Sequence, residues 1–153
     1  MSKCFLLCSG CGNGETELTS FDNALLRSGI ANYNLVKVSS ILPAGAVRKD
    51  KVTLTEGSIL YTAYASKTII GQGNIASAAV AVGIPTESDN IGVIMEFSGD
   101  CRKTDAEENA RQMVEEAMKA RGYEIKEILC TATEIVGCDK KYSTVLAALA
   151  MWE

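Results

Sequence analysis

The sequence predicts one α+β domain, a layered sandwich of strands with two helices. Three observations lead there. The chain has 153 residues, within reach of the usual domain size of about 100–150 and short for two cores. Its apolar share is 47% against 22% charged, with only two prolines, which places it with folded globules rather than disordered or fibrous chains. Its hydrophobic period switches between 2 and 3.6 without the regular alternation of strands and helices that a doubly wound sheet requires. No internal repeat, low-complexity tract or linker divides the chain.

The elements follow in order. Residues 4–9 form a short apolar run of strand character, followed by a Gly/Asn loop at 10–14. Thr19 or Ser20 can cap a helix that runs to about Ser28, with Phe21, Ala24 and Leu25 on its apolar side, Leu26 at the margin and Gly29 just past its end. Residues 33–39 predict a strand with Tyr33, Leu35 and Lys37 on one face and Asn34, Val36 and Val38 on the other. Residues 58–70, rich in Ile, Tyr and Thr, predict a long strand or a bent pair. At 75–84 the alanines suit a helix, but Ile75, Val80, Val82 and Ile84 between Gly and Pro favour a strand. Residues 91–97 alternate as a strand, with Ile91, Val93, Met95 and Phe97 against Gly92, Ile94 and Glu96. Residues 105–121 predict a helix: Thr104 and Glu107 offer a capping box, Ala106, Ala110, Met113, Val114, Ala117 and Met118 form a stripe, and Gly122 ends it. Residues 123–136 and 143–152 return to strand character.

Composition excludes several chemistries. The chain has no histidine, so Ser-His-Asp and Cys-His nucleophiles, HExxH zinc sites and His-rich metal sites are all ruled out. An acid or base must be Glu, Asp, Lys, Tyr or Cys. The net charge of −4 with dispersed Lys and Arg argues against nucleic acid as a partner and suits a cationic small molecule better. There is no apolar run of about 18 residues and no signal-peptide pattern, so a cytoplasmic protein without a membrane partner is expected, its six cysteines reduced.

Cys4, Cys8 and Cys11 have the spacing of an iron–sulfur motif, but the first two fall in an apolar strand where cysteine acts as a small hydrophobe, and no metal site is assigned. Gly10, Gly12 and Gly14 match neither a dinucleotide fingerprint nor a P-loop; a tight connection needing positive φ explains them more simply. Ser39 and Ser40 close a strand before Pro43, and a serine pair there is by itself ordinary turn chemistry.

Four blocks in order change that reading: Gly14-Glu15-Thr16, residues 21–30 (FDNALLRSGI), residues 34–43 (NLVKVSSILP) and residues 92–97 (GVIMEF). Through them the chain resembles the pyruvoyl-dependent arginine decarboxylases over nearly its whole length. It departs from that pattern in its extra cysteines near the start and a very short N-terminal segment, which touch peripheral contacts rather than the chemistry. The resemblance implies a four-layer αββα sandwich, a homotrimer with active sites between subunits, and L-arginine converted to agmatine and CO2 for polyamine biosynthesis.

It also implies self-processing. The Ser40 hydroxyl attacks the Ser39 carbonyl, the resulting ester is lost by β-elimination, and ammonia leaves, so that the chain is cut into 1–39 (β chain) and 40–153 (α chain) with a covalent pyruvoyl group at position 40. Decarboxylation leaves an electron pair at Cα, which such a carbonyl can drain without any histidine. Asn34 is expected to orient the scissile bond or the pyruvoyl carbonyl, Glu96 to protonate Cα, Asp22 to pair with the substrate guanidinium, and Ser39 to border the substrate. Glu96 among Ile94, Met95 and Phe97 should be partly desolvated, with a raised pKa. Two other outcomes stay open: a binding module of the same fold that never cleaves, and pyruvoyl chemistry on another amino acid.

Overall fold

The computed structural model describes residues 3–139 and 141–153. Its elements are β1 (Cys4–Gly14), α1 (Glu17–Ser28), β2 (Asn34–Lys37), β3 (Ile41–Leu42), β4 (Val47–Arg48), β5 (Ile59–Ile70), β6 (Ile75–Pro85), β7 (Gly92–Gly99), α2 (Lys103–Ala120), β8 (Ile125–Val136) and β9 (Tyr142–Trp152). They make a single α+β domain with two sheets, ordered β2-β5-β9-β1-β4 and β3-β7-β6-β8. The second sheet is antiparallel throughout, whereas the first has parallel pairs at both edges, β2 with β5 and β4 with β1. Among the described residues no helix is long and apolar enough to cross a membrane.

Strand alternation sorts the core into three clusters. Phe5, Leu7, Val145 and Leu149 of the first sheet meet Ala78, Val80, Val82 and Ile94 of the second. On the outer face of the first sheet, Leu6, Leu146 and Ala148 receive Ala24 and Leu25 of α1. On the outer face of the second, Ala79, Ala81 and Val93 receive Ala106, Ala110, Val114 and Met118 of α2. The ambiguity at 75–84 resolves here. β6 is a central strand covered on both faces, so it needs no polar alternation, and its alanines let α2 approach closely.

Helix α1 begins earlier than its sequence suggests. Its cap is Thr16, whose hydroxyl accepts from the Thr19 N–H at 3.1 Å while Thr19 Oγ1 accepts from the Thr16 N–H at the same distance. Ser20 is inside the helix and buried, and shares a hydrogen bond with Thr144 Oγ1 (2.6 Å), which in turn meets Thr68 Oγ1 (2.7 Å). Leu26 is exposed because the stripe passes instead through Ser28, whose hydroxyl donates to the Leu25 carbonyl. Gly29 ends the helix at φ 81° as expected.

The capping box expected for α2 does not form. The helix starts at Lys103 with Arg102 as cap and no side-chain hydrogen bond there, and the Glu107 carboxylate is engaged by Arg111 at 3.2 Å. The predicted loop at 10–14 is instead the second half of β1, and Gly10, Gly12 and Gly14 do not have positive φ. Their role is close approach. A Cβ on Gly10 would lie 2.5 Å from the Ala24 carbonyl oxygen, and one on Gly14 2.4 Å from the Ser20 nitrogen. The two-residue strands β3 and β4 carry too little pattern to be seen in sequence.

Gly10→Ala should therefore push α1 off β1 and destabilise the fold by about 1–3 kcal/mol. Urea unfolding measures this, and an unchanged midpoint would show that the helix does not depend on the glycine face.

Candidate active site

The site is built around the passage of the chain from one sheet to the other. Val38 N–H donates to the Thr62 carbonyl of β5 at 3.1 Å, the last bond to the first sheet, and the Ser40 carbonyl accepts from Ile94 N–H of β7 at 2.8 Å, the first bond to the second. The strand expected over 33–39 thus ends at Lys37 in the ladder, and the Ser39–Ser40 peptide spans the crossing. Ser39 is exposed and Ser40 half-buried. Ser39, with Val38, Ile41, Pro43, Tyr61 and Trp152, borders an open, mostly apolar cavity of about 570 Å³.

Glu96 lies two residues beyond Ile94 on β7, about 7 Å along the strand and on the same face. That face looks toward the first sheet, since Ile94 belongs to the core between the sheets while Val93, Met95 and Phe97 pack toward α2. The carboxyl is half-buried, and its Oε2 is buried without a hydrogen-bond partner. Burial raises its pKa above the ordinary carboxylate range; the Lys37 ammonium and the residue's own backbone N–H oppose the rise without cancelling it.

The other candidates stand apart from this centre. Asn34 opens β2 beside Ile59, about 10 Å along the strand from Lys37, and its Nδ2 donates to the Gly57 carbonyl at 2.7 Å. By register it shares a face with Val36, Ile59 and Tyr61, all three exposed. Asp22 is exposed on α1, across the first sheet from β7. Within one chain, therefore, the structure brings Ser39, Ser40 and Glu96 together but leaves Asn34 and Asp22 outside.

Lys37, whose charge acts on Glu96 against burial, carried no functional reading from sequence. Lys37 Nζ sits over the Tyr64 ring, 4.5 Å from its centroid, and Tyr64 meets Phe21 of α1 at 6.2 Å. The available signal was Lys37 itself, a cation on the strand face shared with Tyr33 and Leu35, both packed on the apolar side of the sheet.

The three early cysteines divide between faces: Cys4 and Cys8 point toward α1 and Cys11 toward the other sheet. Burial pushes the Cys8 thiol up to about 12 despite the Ser28 hydroxyl. Among the described residues, Cys8, Cys11, Cys101, Cys130 and Cys138 form no disulfide.

Comparison with known proteins gives a match of residues 4–153 to the family described as pyruvoyl-dependent arginine decarboxylase. Curated proteins of that name include one from Pyrococcus abyssi, 40% identical over 94% of this chain and 92% of its own length. Another from Thermococcus kodakarensis is 43% identical over 86% of this chain and 84% of its own. A third, from Methanocaldococcus jannaschii, is 38% identical over 95% and 87%.

The raised pKa of Glu96 has a consequence for stability. The fold favours the neutral carboxyl, so this contribution is fully present below the ordinary Glu range and is lost as pH rises through the raised value. Glu96→Gln stays neutral throughout. Its stability relative to the parent should therefore grow as pH rises across that window, which urea midpoints at several pH values measure; a constant difference would contradict the desolvated carboxyl.

Proposed function

Since the chain belongs to the pyruvoyl-dependent arginine decarboxylase family, we propose that it converts L-arginine to agmatine and CO2, supplying polyamine synthesis, after cutting itself between Ser39 and Ser40. The observation that carries this reading is the unpartnered, buried Oε2 of Glu96 two residues from Ile94, whose N–H holds the Ser40 carbonyl. A carbonyl group made at position 40 fits there, next to a carboxyl held toward its neutral form in a chain without histidine. When present, the pyruvoyl carbonyl supplies the electron sink for decarboxylation.

The residues take the following roles. In maturation the Ser40 hydroxyl attacks the Ser39 carbonyl; β-elimination releases Ser39 as a carboxylate, and water displaces ammonia from residue 40. This yields β (1–39) and α (40–153) chains. In turnover Glu96 delivers its proton to Cα once CO2 has left. Asp22 accepts the guanidinium in a bidentate, charge-assisted pair, Asn34 orients the carbonyl at position 40, and Ser39 borders the substrate.

The reading includes a four-layer αββα sandwich, with α1 and α2 on the outer faces of the two sheets, assembled as a homotrimer whose active sites lie between subunits. Two observations support the assembly. Asn34 and Asp22 stand away from Ser40 in one chain, and Asn34 lies on an open face with Val36, Ile59 and Tyr61, the last two more than half exposed. The family reading also carries a cytoplasmic location.

A panel of amino acids tests the function: arginine should be decarboxylated in strong preference to lysine, ornithine and histidine, and equal rates would remove the guanidinium reading. Glu96→Gln should lower turnover on the order of 100-fold or more while substrate still binds. Near-normal turnover would take Glu96 out of the proton-donor role. Asp22→Asn should raise KM for arginine on the order of tenfold, because a charge-assisted hydrogen bond contributes about 1.5–3 kcal/mol, while self-cleavage continues. Unchanged kinetics would shift attention to Glu15 and Glu17.

A further inference from the structure

Helix α1 rests on bare backbone. The glycines of β1 beneath it carry no side chain, and a Cβ on Gly12 would lie 2.7 Å from the Ala24 nitrogen. Such a floor lets a helix come close but offers no ridge for its side chains to lock into, so its rotation about its own axis must be fixed by something else. Rotation matters here because of Asp22. That carboxylate lies on the outward face of α1 with Leu18 and Leu26, four residues to either side, which are 75% and 55% exposed. Turning the helix by about 20° would carry a side-chain tip about 2 Å sideways, enough to spoil a bidentate pair with a guanidinium.

A line of hydroxyls supplies the lock. Gly12, Thr144 and Thr68 are register partners across β1, β9 and β5, and Ser20 of α1 reaches down to that row. Its Oγ lies 2.6 Å from Thr144 Oγ1, which lies 2.7 Å from Thr68 Oγ1. The chemistry of the line fixes its direction. Ser20 Oγ–H donates to the Glu17 carbonyl at 2.7 Å, and a hydroxyl has one proton to give. Ser20 therefore accepts from Thr144, and Thr144 in turn accepts from Thr68, so every link points toward the first turn of α1. Ser20 and Thr144 are both fully buried, away from water that could replace a lost partner. Asn23 also ties α1 to β1, its Nδ2 donating to the Asn13 carbonyl at 2.7 Å, but that bond is exposed. Ser20 stands two residues before Asp22, about 200° around the helix, so holding Ser20 on the sheet turns Asp22 outward. We propose that Thr144 is a positioning residue for substrate binding: through Ser20 it fixes the rotation of α1 and so aims the Asp22 carboxylate at the substrate guanidinium.

The proposal rests on the reading of Asp22 as the guanidinium ligand, and its test separates the two. Thr144→Val keeps the shape of the side chain and deletes the central hydroxyl. KM for arginine should rise on the order of three- to tenfold, within the range of one hydrogen bond, while kcat and self-cleavage at Ser39–Ser40 stay as in the parent. Thr144→Ser retains the hydroxyl and should return KM toward the parent value. Ser20→Ala breaks the line on the helix side at less cost to packing, and so serves if Thr144→Val folds poorly. It should raise KM to a similar extent, and the double variant should raise it no further. In the Asp22→Asn background neither change should add to KM, because no carboxylate is left to aim. Hydroxyls that serve stability alone would lower the urea midpoint of Thr144→Val and leave KM unmoved; that result overturns the proposal, as does a rise in KM that persists in full on top of Asp22→Asn. If Asp22→Asn by itself leaves KM unchanged, the guanidinium reading fails and the proposal with it.

Discussion

Two backbone hydrogen bonds define the centre of this molecule: Val38 N–H to the Thr62 carbonyl in one sheet, and Ile94 N–H to the Ser40 carbonyl in the other. Between them the chain crosses from sheet to sheet in the space of the Ser39–Ser40 peptide. Most of the proposed chemistry depends on that arrangement. It places the serine pair beside β7, and β7 turns Glu96 toward the same space. It also gives each side of the scissile bond its own anchor, so a break there releases neither end from its sheet. A cut in a loop anchored on one side only would free a strand; here the residue before Ser39 and Ser40 itself stay hydrogen-bonded.

The electrostatics of the site follow from the packing of two sheets whose strands offer few charges. β6 and β9 are buried almost throughout, and the side chains they place between the sheets, Ala78, Val80, Val145 and Leu149 among them, are apolar, so a carboxyl on β7 that faces them is desolvated. The opposing cation comes from β2, at the edge of the other sheet, where Lys37 retains access to solvent. The site thus lies where a dry interior meets a wet edge. A proton donor needs both: dryness to keep the carboxyl neutral, and access to water for its proton to return.

Much of the fold was legible from periodicity. Both helices and the alternation of Tyr33, Leu35 and Lys37 against Asn34, Val36 and Val38 follow from side-chain spacing alone, because those elements lie at the outside of the layers, and the other long strands were legible from their apolar, β-branched runs. Where both faces are buried, as in β6, alternation disappears and Ala-rich sequence is compatible with helix or strand. The glycines of β1 were legible as special but not in kind: a need for positive φ and a need for bare backbone beneath a helix produce the same residue, and only the position of α1 distinguishes them. The Thr104–Glu107 pattern failed because the helix starts two residues earlier than a Thr104 cap requires, with Arg102 as cap, which puts Thr104 inside it and leaves Glu107 to pair with Arg111. For the site, the blocks that identify the family contain Ser39, Ser40 and Glu96, which the fold assembles. The same blocks contain Asn34 and Asp22, which one chain leaves away from Ser40, and only the proposed trimer, a property that no single-chain pattern encodes, would bring them to it.

The central claim is that this crossing peptide is the bond the protein cuts in itself. Mass spectrometry of freshly purified, denatured protein tests it most directly. The account predicts two fragments that divide between Ser39 and Ser40, the larger resistant to Edman degradation because it begins with a keto acid rather than an amine, and a single intact chain for Ser40→Ala. One intact chain from the parent sequence, persisting through days at working temperature, would contradict it and leave a fold that binds without catalysing; two fragments from Ser40→Ala would assign the cut to a protease.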